Sequence, residues 1–115
     1  MSLSTHVLDA TTGSPAGELA VSLWQSAAVE GESPAEGAWS LVAEGRTDAD
    51  GRIEGWTVHD GIYRLVFATG PWWAARGVEA FHPEAVVTFT VTDPGTHYHV
   101  PLLASPFAYT TYRGT

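Results

Sequence analysis

Apolar and polar residues alternate along much of this chain. From Leu19 to Trp24 the pattern is regular, with Leu19, Val21 and Leu23 on one face and Ala20, Ser22 and Trp24 on the other. A two-residue period is the signature of a half-buried strand. Trp39 to Glu44 alternates in the same way. Ile62 to Thr69 places Tyr63, Leu65 and Phe67 together, and Ala85 to Val91 is rich in β-branched residues. His6-Val7-Leu8-Asp9 is a shorter apolar run, followed by a loop containing Thr11, Thr12, Gly13, Ser14 and Pro15. Gln25 to Gly37 reads as a longer loop. Gly45 to Gly51 is a tight polar loop ending in Asp50-Gly51, a hairpin signal that predicts a returning strand over Arg52 to Trp56. His59-Asp60-Gly61 and Asp93-Pro94-Gly95 are turns. Gly70-Pro71 opens the one predicted helix, Trp72 to Arg76, and Gly77 closes it. About eight short strands with this turn spacing predict an all-β sandwich or barrel with one short helix.

The last stretch, from His97 to Thr115, predicts two strands joined at Ser105-Pro106. Alternation puts His97, His99 and Pro101 on one face and Tyr98, Val100 and Leu102 on the other. Residues two apart on a strand are separated by ~6.6 Å, so the two imidazoles are neighbours. With Ser105 and Pro106 at the centre of the turn, Ala104 faces Phe107, Val100 faces Thr111 and His99 faces Tyr112. Arg113 is next along the chain. Chain ends fray unless tied down, so an imidazole, a phenol and a guanidinium gathered there mark the terminus as part of a candidate site.

Composition narrows the classes. The 115 residues predict a single domain, 1–115, with a real core. Net charge is -8, from 13 acids against 5 bases. All the bases are Arg: Arg46, Arg52, Arg64, Arg76 and Arg113. Nucleic acid is not the expected partner, because phosphate binding needs a basic face. Arg without Lys gives the few cations a planar fork suited to carbonyls and carboxylates. Cys is absent, so no disulfide, thiolate nucleophile or Cys-ligated metal is expected. No apolar run approaches a membrane span, and the first five residues carry no basic or apolar leader pattern. A cytoplasmic location without membrane association is the expectation.

Three separated stretches point to one family. They are His6-Val7-Leu8-Asp9 with Gly13-Ser14-Pro15-Ala16, then Thr47-Asp48-Ala49-Asp50-Gly51-Arg52, then the terminal hairpin ending Tyr112-Arg113-Gly114-Thr115. Together they resemble the transthyretin-like family, and within it the 5-hydroxyisourate hydrolases, over essentially the whole chain. The resemblance implies a transthyretin-like β-sandwich and hydrolytic opening of a urate-like ring without a metal or other cofactor. It implies a homotetramer with sites at the dimer–dimer interface. The polar set that separates the hydrolases from the hormone carrier falls on His6, Arg52, His99 and the Tyr112-to-Thr115 tail. The family tail ends in Ser, where this chain has Thr115. The extra methyl bears on the packing of the chain end more than on its chemistry.

The resemblance implies that His99 and His6 hold and deprotonate a water, with either as the base. Arg52 orients substrate and stabilises negative charge, Tyr112 lines the pocket, and Arg113 and Thr115 brace its edge. His97 reads as a supporting or surface residue, His59 and His82 as exposed, Arg46 as solvated, and Trp72-Trp73 as packing between helix and sheet. Asp9 reads as a partner for loop backbone. Thr47-Asp48-Ala49-Asp50-Gly51 lacks the third acid and closing Glu of a calcium loop. A carrier on the same fold is the main alternative. A metal site on His97-x-His99 lacks nearby further ligands, and a sugar-binding sandwich would need its five Trp gathered, whereas they are scattered.

Overall fold

A computed structural model describes residues 2–28, 31–34, 37–93 and 95–115. Pro94 of the expected turn, and Val29, Glu30, Ala35 and Glu36 of the expected loop, lie outside the described residues, as does Met1. The strands are β1 (Ser2–Asp9), β2 (Ser14–Pro15), β3 (Ala20–Ser26), β4 (Trp39–Arg46), β5 (Arg52–Thr57), β6 (Gly61–Phe67), β7 (Ala85–Val91), β8 (Tyr98–Ala104) and β9 (Tyr109–Thr111). One helix, α1 (Thr69–Ala74), lies between β6 and β7. The strands form two sheets. One runs β2-β1-β8-β9, with β5 also paired to β1, and the other runs β4-β3-β6-β7. The all-β sandwich with one short helix is the architecture the alternation predicts.

The core lies between the sheets. Leu3, Val7, Tyr98, Val100 and Leu102 face inward from the first, and Val21, Leu23, Tyr63, Leu65 and Phe67 from the second. Opposed apolar faces exclude water from both sheets at once, which is what holds a sandwich together. The residues between them in sequence, among them His6, His99 and Arg52, are thereby turned outward from the first sheet.

Four sequence expectations need correction. β1 starts at Ser2, not His6. Its polar outward residues Ser2 and Ser4 weaken the apolar signal, but Leu3, Thr5 and Val7 are buried, and pairing with β5 and β8 supports both edges. Ser14–Pro15, read as loop, adds two residues to the sheet beside Leu8 and Asp9. The helix spans Thr69–Ala74, not Trp72 to Arg76, and β6 stops at Phe67, not Thr69. Tertiary contact sets this start: Gly70 donates its N–H to the Pro83 carbonyl at 3.1 Å, and a Cβ there would sit 2.5 Å from that oxygen. Gly77, at φ 71°, does close the helix region, with Val78 N–H bonded to the Trp73 carbonyl and Gly77 N–H to that of Ala74. Trp72 and Trp73 are buried as packing residues, and Trp72 Nε1 donates to the Gly17 carbonyl at 2.8 Å.

The fourth correction concerns the terminal hairpin. Ala104 pairs with Tyr109, Leu102 with Thr111, and His99 with Gly114. The connection is therefore Ser105 to Ala108, closed by Ser105 N–H to the Ala108 carbonyl at 2.9 Å. Pro106 sits inside a longer turn, not at the centre of a two-residue one. His99 faces Gly114 where Tyr112 was expected.

Candidate active site

β1 is central to the site. Antiparallel pairing puts His6 opposite Arg52 of β5, and parallel pairing puts it opposite Pro101 of β8. The next outward row is Ser4 of β1, His99 of β8 and Gly114 of the chain end. In-register residues on neighbouring strands point to the same face. His6, Arg52 and His99 therefore share the outer face of one sheet. One strand spacing across and two residues along separates His6 from His99 by about 8 Å at Cα, close enough for both to reach one small ring.

The Thr47-to-Arg52 motif is what holds Arg52 in this row. Asp48 Oδ1 accepts the N–H groups of Asp50 and Arg52, each at 2.9 Å. Gly51 takes φ 77°, and its carbonyl accepts the Val7 N–H at 2.7 Å, which joins the turn to β1 beside His6. Thr47 is buried at the root of the turn, where its hydroxyl donates to the Ala16 carbonyl at 2.7 Å and accepts the Leu19 N–H at 2.9 Å. The Asp48 carboxylate thus bonds backbone. Asp9 likewise accepts the Thr11 N–H at 2.9 Å.

His99 is held from two sides. Ser4 Oγ lies 2.7 Å from its Nδ1, and the same hydroxyl lies 2.8 Å from His97 Nε2. His97 Nδ1 in turn lies 2.6 Å from Ser2 Oγ. On the other side Gly114 N–H donates to the His99 carbonyl at 2.8 Å. With Nδ1 engaged, Nε2 is the ring nitrogen left for chemistry. Burial lowers the His99 pKa from the ordinary 6.5, and the charges of Arg52, His6 and His97 lower it further, while a hydrogen bond from the ring to the Ser4 backbone opposes them. A neutral imidazole beside a cation is the state a general base requires.

The remaining candidates are placed differently. The hairpin register puts Tyr112 beside Pro101, in the row of His6, with an exposed ring. Arg113 is not on the histidine face: its guanidinium lies 4.8 Å from the ring centre of buried Tyr98, at the open edge between the sheets. Thr115 is exposed beyond Gly114. His82 is half-buried, edge-on to Phe81 and Tyr109, where exposure was expected. His59 and Arg46 are exposed as anticipated. Sequence reasoning missed Ser4 and Asp48. Ser4 precedes His6 by one strand period, and Asp48 is the first acid of an Asp-x-Asp-Gly turn, a signal that could have found it.

A hollow of about 500 Å³ lies on β3, β4 and β6 between Ala20, Glu44 and Pro83, and no histidine lines it. A second, of about 330 Å³, lies beside Tyr98 and Arg113. His6, Arg52 and His99 lie away from both hollows, on the open outer face of the first sheet.

A profile of the HIUase/Transthyretin family matches residues 3–114. The chain is 40% identical to the 5-hydroxyisourate hydrolase of Mus musculus, over 98% of this chain and 94% of that one. It is 39% identical to the 5-hydroxyisourate hydrolase of Ralstonia nicotianae, over 98% and 97% of the two. Among solved structures it resembles 5-hydroxyisourate hydrolase from Klebsiella pneumoniae, with a TM-score of 0.81 and 36% identity over all of both chains. It also resembles sea bream transthyretin in complex with thyroxine, with a TM-score of 0.86 and 36% identity over 98% of this chain and 94% of that one. From residue 3 to residue 114, by sequence and by fold, this chain belongs to the HIUase/Transthyretin family.

Proposed function

We propose that the protein hydrolyses 5-hydroxyisourate to 2-oxo-4-hydroxy-4-carboxy-5-ureidoimidazoline, a step of urate degradation. Likeness to solved structures does not separate this from a carrier role, since the enzyme and the thyroxine-bound transthyretin both match this chain at 36% identity, with TM-scores of 0.81 and 0.86. The observation that carries the proposal is the row itself: His6 beside Arg52, with His99 one step along the same face. A ligand held by burial alone needs no such set, whereas amide hydrolysis needs a base, an anion donor and an acid.

In this reading His99 Nε2, with His6 beside it, takes a proton from water. The hydroxide adds to a ring carbonyl carbon, and the oxyanion forms against the Arg52 guanidinium, whose fork suits a flat, carbonyl-rich ring. Collapse breaks the ring C–N bond, and the nitrogen leaves with the proton the imidazole took. Tyr112 lines one edge. Arg113, stacked on Tyr98, braces the tail that lies over His99, and Thr115 ends that tail.

The reading includes a homotetramer and a cytoplasmic location. An open sheet face supports assembly: buried electrostatic catalysis needs water excluded, and a second copy laid over the histidine row would exclude it. Among the described residues no helix is long and apolar enough to cross a membrane.

The test generates 5-hydroxyisourate from urate with urate oxidase and follows its ultraviolet absorbance. Decay faster than the blank, abolished by His99→Asn, is the expected result. Blank-rate decay from a folded tetramer would move the assignment to a carrier.

A further inference from the structure

The outer face holds more connected polarity than the reaction so far uses. Four side chains form an unbroken line: Ser2 Oγ to His97 Nδ1 at 2.6 Å, His97 Nε2 to Ser4 Oγ at 2.8 Å, and Ser4 Oγ to His99 Nδ1 at 2.7 Å. Ser4 is buried, with 7% exposure, although it points away from the core. His97 is exposed. The line thus runs from solvent to the back of the imidazole whose front nitrogen faces the candidate site.

The chemistry of the hydroxyl constrains what this line can do. A serine hydroxyl has one proton and can both donate and accept. Ser4 sits between two ring nitrogens, so it can donate to one while it accepts from the other. When it donates to His97 Nε2, it accepts from His99 Nδ1–H, and the His99 Nε2 lone pair is free for water. When the direction reverses, His99 carries its proton on Nε2 and is an acid. The same hydroxyl thereby selects both states that hydrolysis requires of one imidazole.

We propose that Ser4 and His97 are a proton relay for His99, moving positive charge from the site to the exposed imidazole while the ring opens. This rests on the hydrolase reading above. As water gives its proton to His99 Nε2, the His99 Nδ1 proton passes to Ser4 and the Ser4 proton passes to His97 Nε2. His97 then carries the charge and His99 is neutral. As the ring nitrogen leaves, it takes the Nε2 proton, the two relay protons return, and every relay group ends as it began. The ionisable groups acting on His99 are Arg52 from β5, His6 from β1 and His97 from its own segment. A cation on His99 is repelled by Arg52; the same charge on His97 is one strand period further from the His6 row, on a residue that is exposed in the single subunit. Ser4 and His97 are positioning and relay residues; neither touches substrate.

The test compares the parent with Ser4→Ala, Ser4→Thr, His97→Gln and the Ser4→Ala/His97→Gln double variant. Gln keeps an acceptor for Ser4 but cannot carry the proton, so scaffolding is retained and transfer is lost. Expected results are a fall in kcat of about 100-fold for Ser4→Ala and for His97→Gln, KM and melting temperature near the parent's, recovery in Ser4→Thr, and a double variant no slower than the slower single one. Nitrogen-15 spectra of the parent at neutral pH should show His99 protonated at Nδ1, a preference that Ser4→Ala removes. An active parent whose kcat survives His97→Gln within about twofold, or whose two single losses multiply in the double variant, overturns the relay and leaves the hydrolase reading intact. An inert parent overturns the hydrolase reading instead, and the His99 tautomer in parent and Ser4→Ala then decides the hydrogen-bond assignment alone.

Discussion

Gly114 lies against the imidazole of His99 so closely that a Cβ on it would sit 2.5 Å from His99 Cδ2. Its N–H also donates to the His99 carbonyl at 2.8 Å. The chain end is thus a backstop for the ring, and only glycine leaves room for it. Gly114→Ala should turn His99 out of its pose without disturbing the core. Activity should fall roughly 10- to 100-fold, with the melting temperature nearly unchanged. Paired kinetics and thermal unfolding check this, and an alanine variant with parental turnover would show that the contact does not position the ring.

Gly51 should be stability-critical for a different reason. Its φ is 77°, and a Cβ there would lie 2.3 Å from the Val7 carbonyl, the oxygen that accepts the Ala16 N–H at 2.9 Å. Gly51→Ala combines left-handed strain with a clash against backbone, so a loss of about 1–3 kcal/mol is expected. Urea unfolding measures it. Activity should also drop in the folded fraction, because Arg52 follows directly.

Thr47→Val tests the turn from beneath. The hydroxyl serves the Leu19 N–H and the Ala16 carbonyl in a site with 1% exposure. Valine keeps the shape and leaves both groups without that partner, which costs about 1–3 kcal/mol. Turnover of the protein that remains folded should stay close to the parent's, since Asp48 still holds Arg52. A large loss of activity without loss of stability would contradict this division of labour.

The pH dependence follows from His99. Its pKa is lowered from 6.5 by burial first, then by Arg52, His6 and His97. The acidic limb of kcat/KM should therefore turn below pH 6.5, and Arg52→Gln should move that turn upward while lowering the rate. Stability carries the same sign. Between the unfolded value near 6.5 and the lower folded value, the unfolded chain binds more protons, so His99 withdraws stability as pH falls through that window. Above it the contribution is constant. Thermal unfolding of the parent and His99→Asn between pH 5 and 8 reads the difference, which should appear only on the acidic side.

Much of the candidate site is legible in the sequence alone. Alternation along His97 to Leu102 assigns His99 outward and Tyr98 inward, and the Asp-Gly turn starts β5 at Arg52. The hairpin register came out two residues away from expectation, with Ala104 opposite Tyr109. Because the slip is even, every outward residue stays outward. What changed is the neighbour: His99 gained Gly114, and Tyr112 moved beside Pro101. Turn length alone makes that difference, and Ser-Pro chemistry is compatible with both lengths.

What sequence by itself determined is facing: which side chains enter the sandwich and which are left outside, since strand periodicity and the need to bury apolar surface leave little choice. Tertiary structure decided adjacency. β1 and β8 pair in parallel across 95 residues, Ser4 to His99, and parallel partners are never joined by a local turn that the chain could announce. Ser4 therefore reads as an ordinary polar strand position, and Arg113, next to Tyr112 in the tail, falls on the opposite face over Tyr98. The hydrogen-bonded line behind His99 exists only because the fold brings two distant strands side by side in one register.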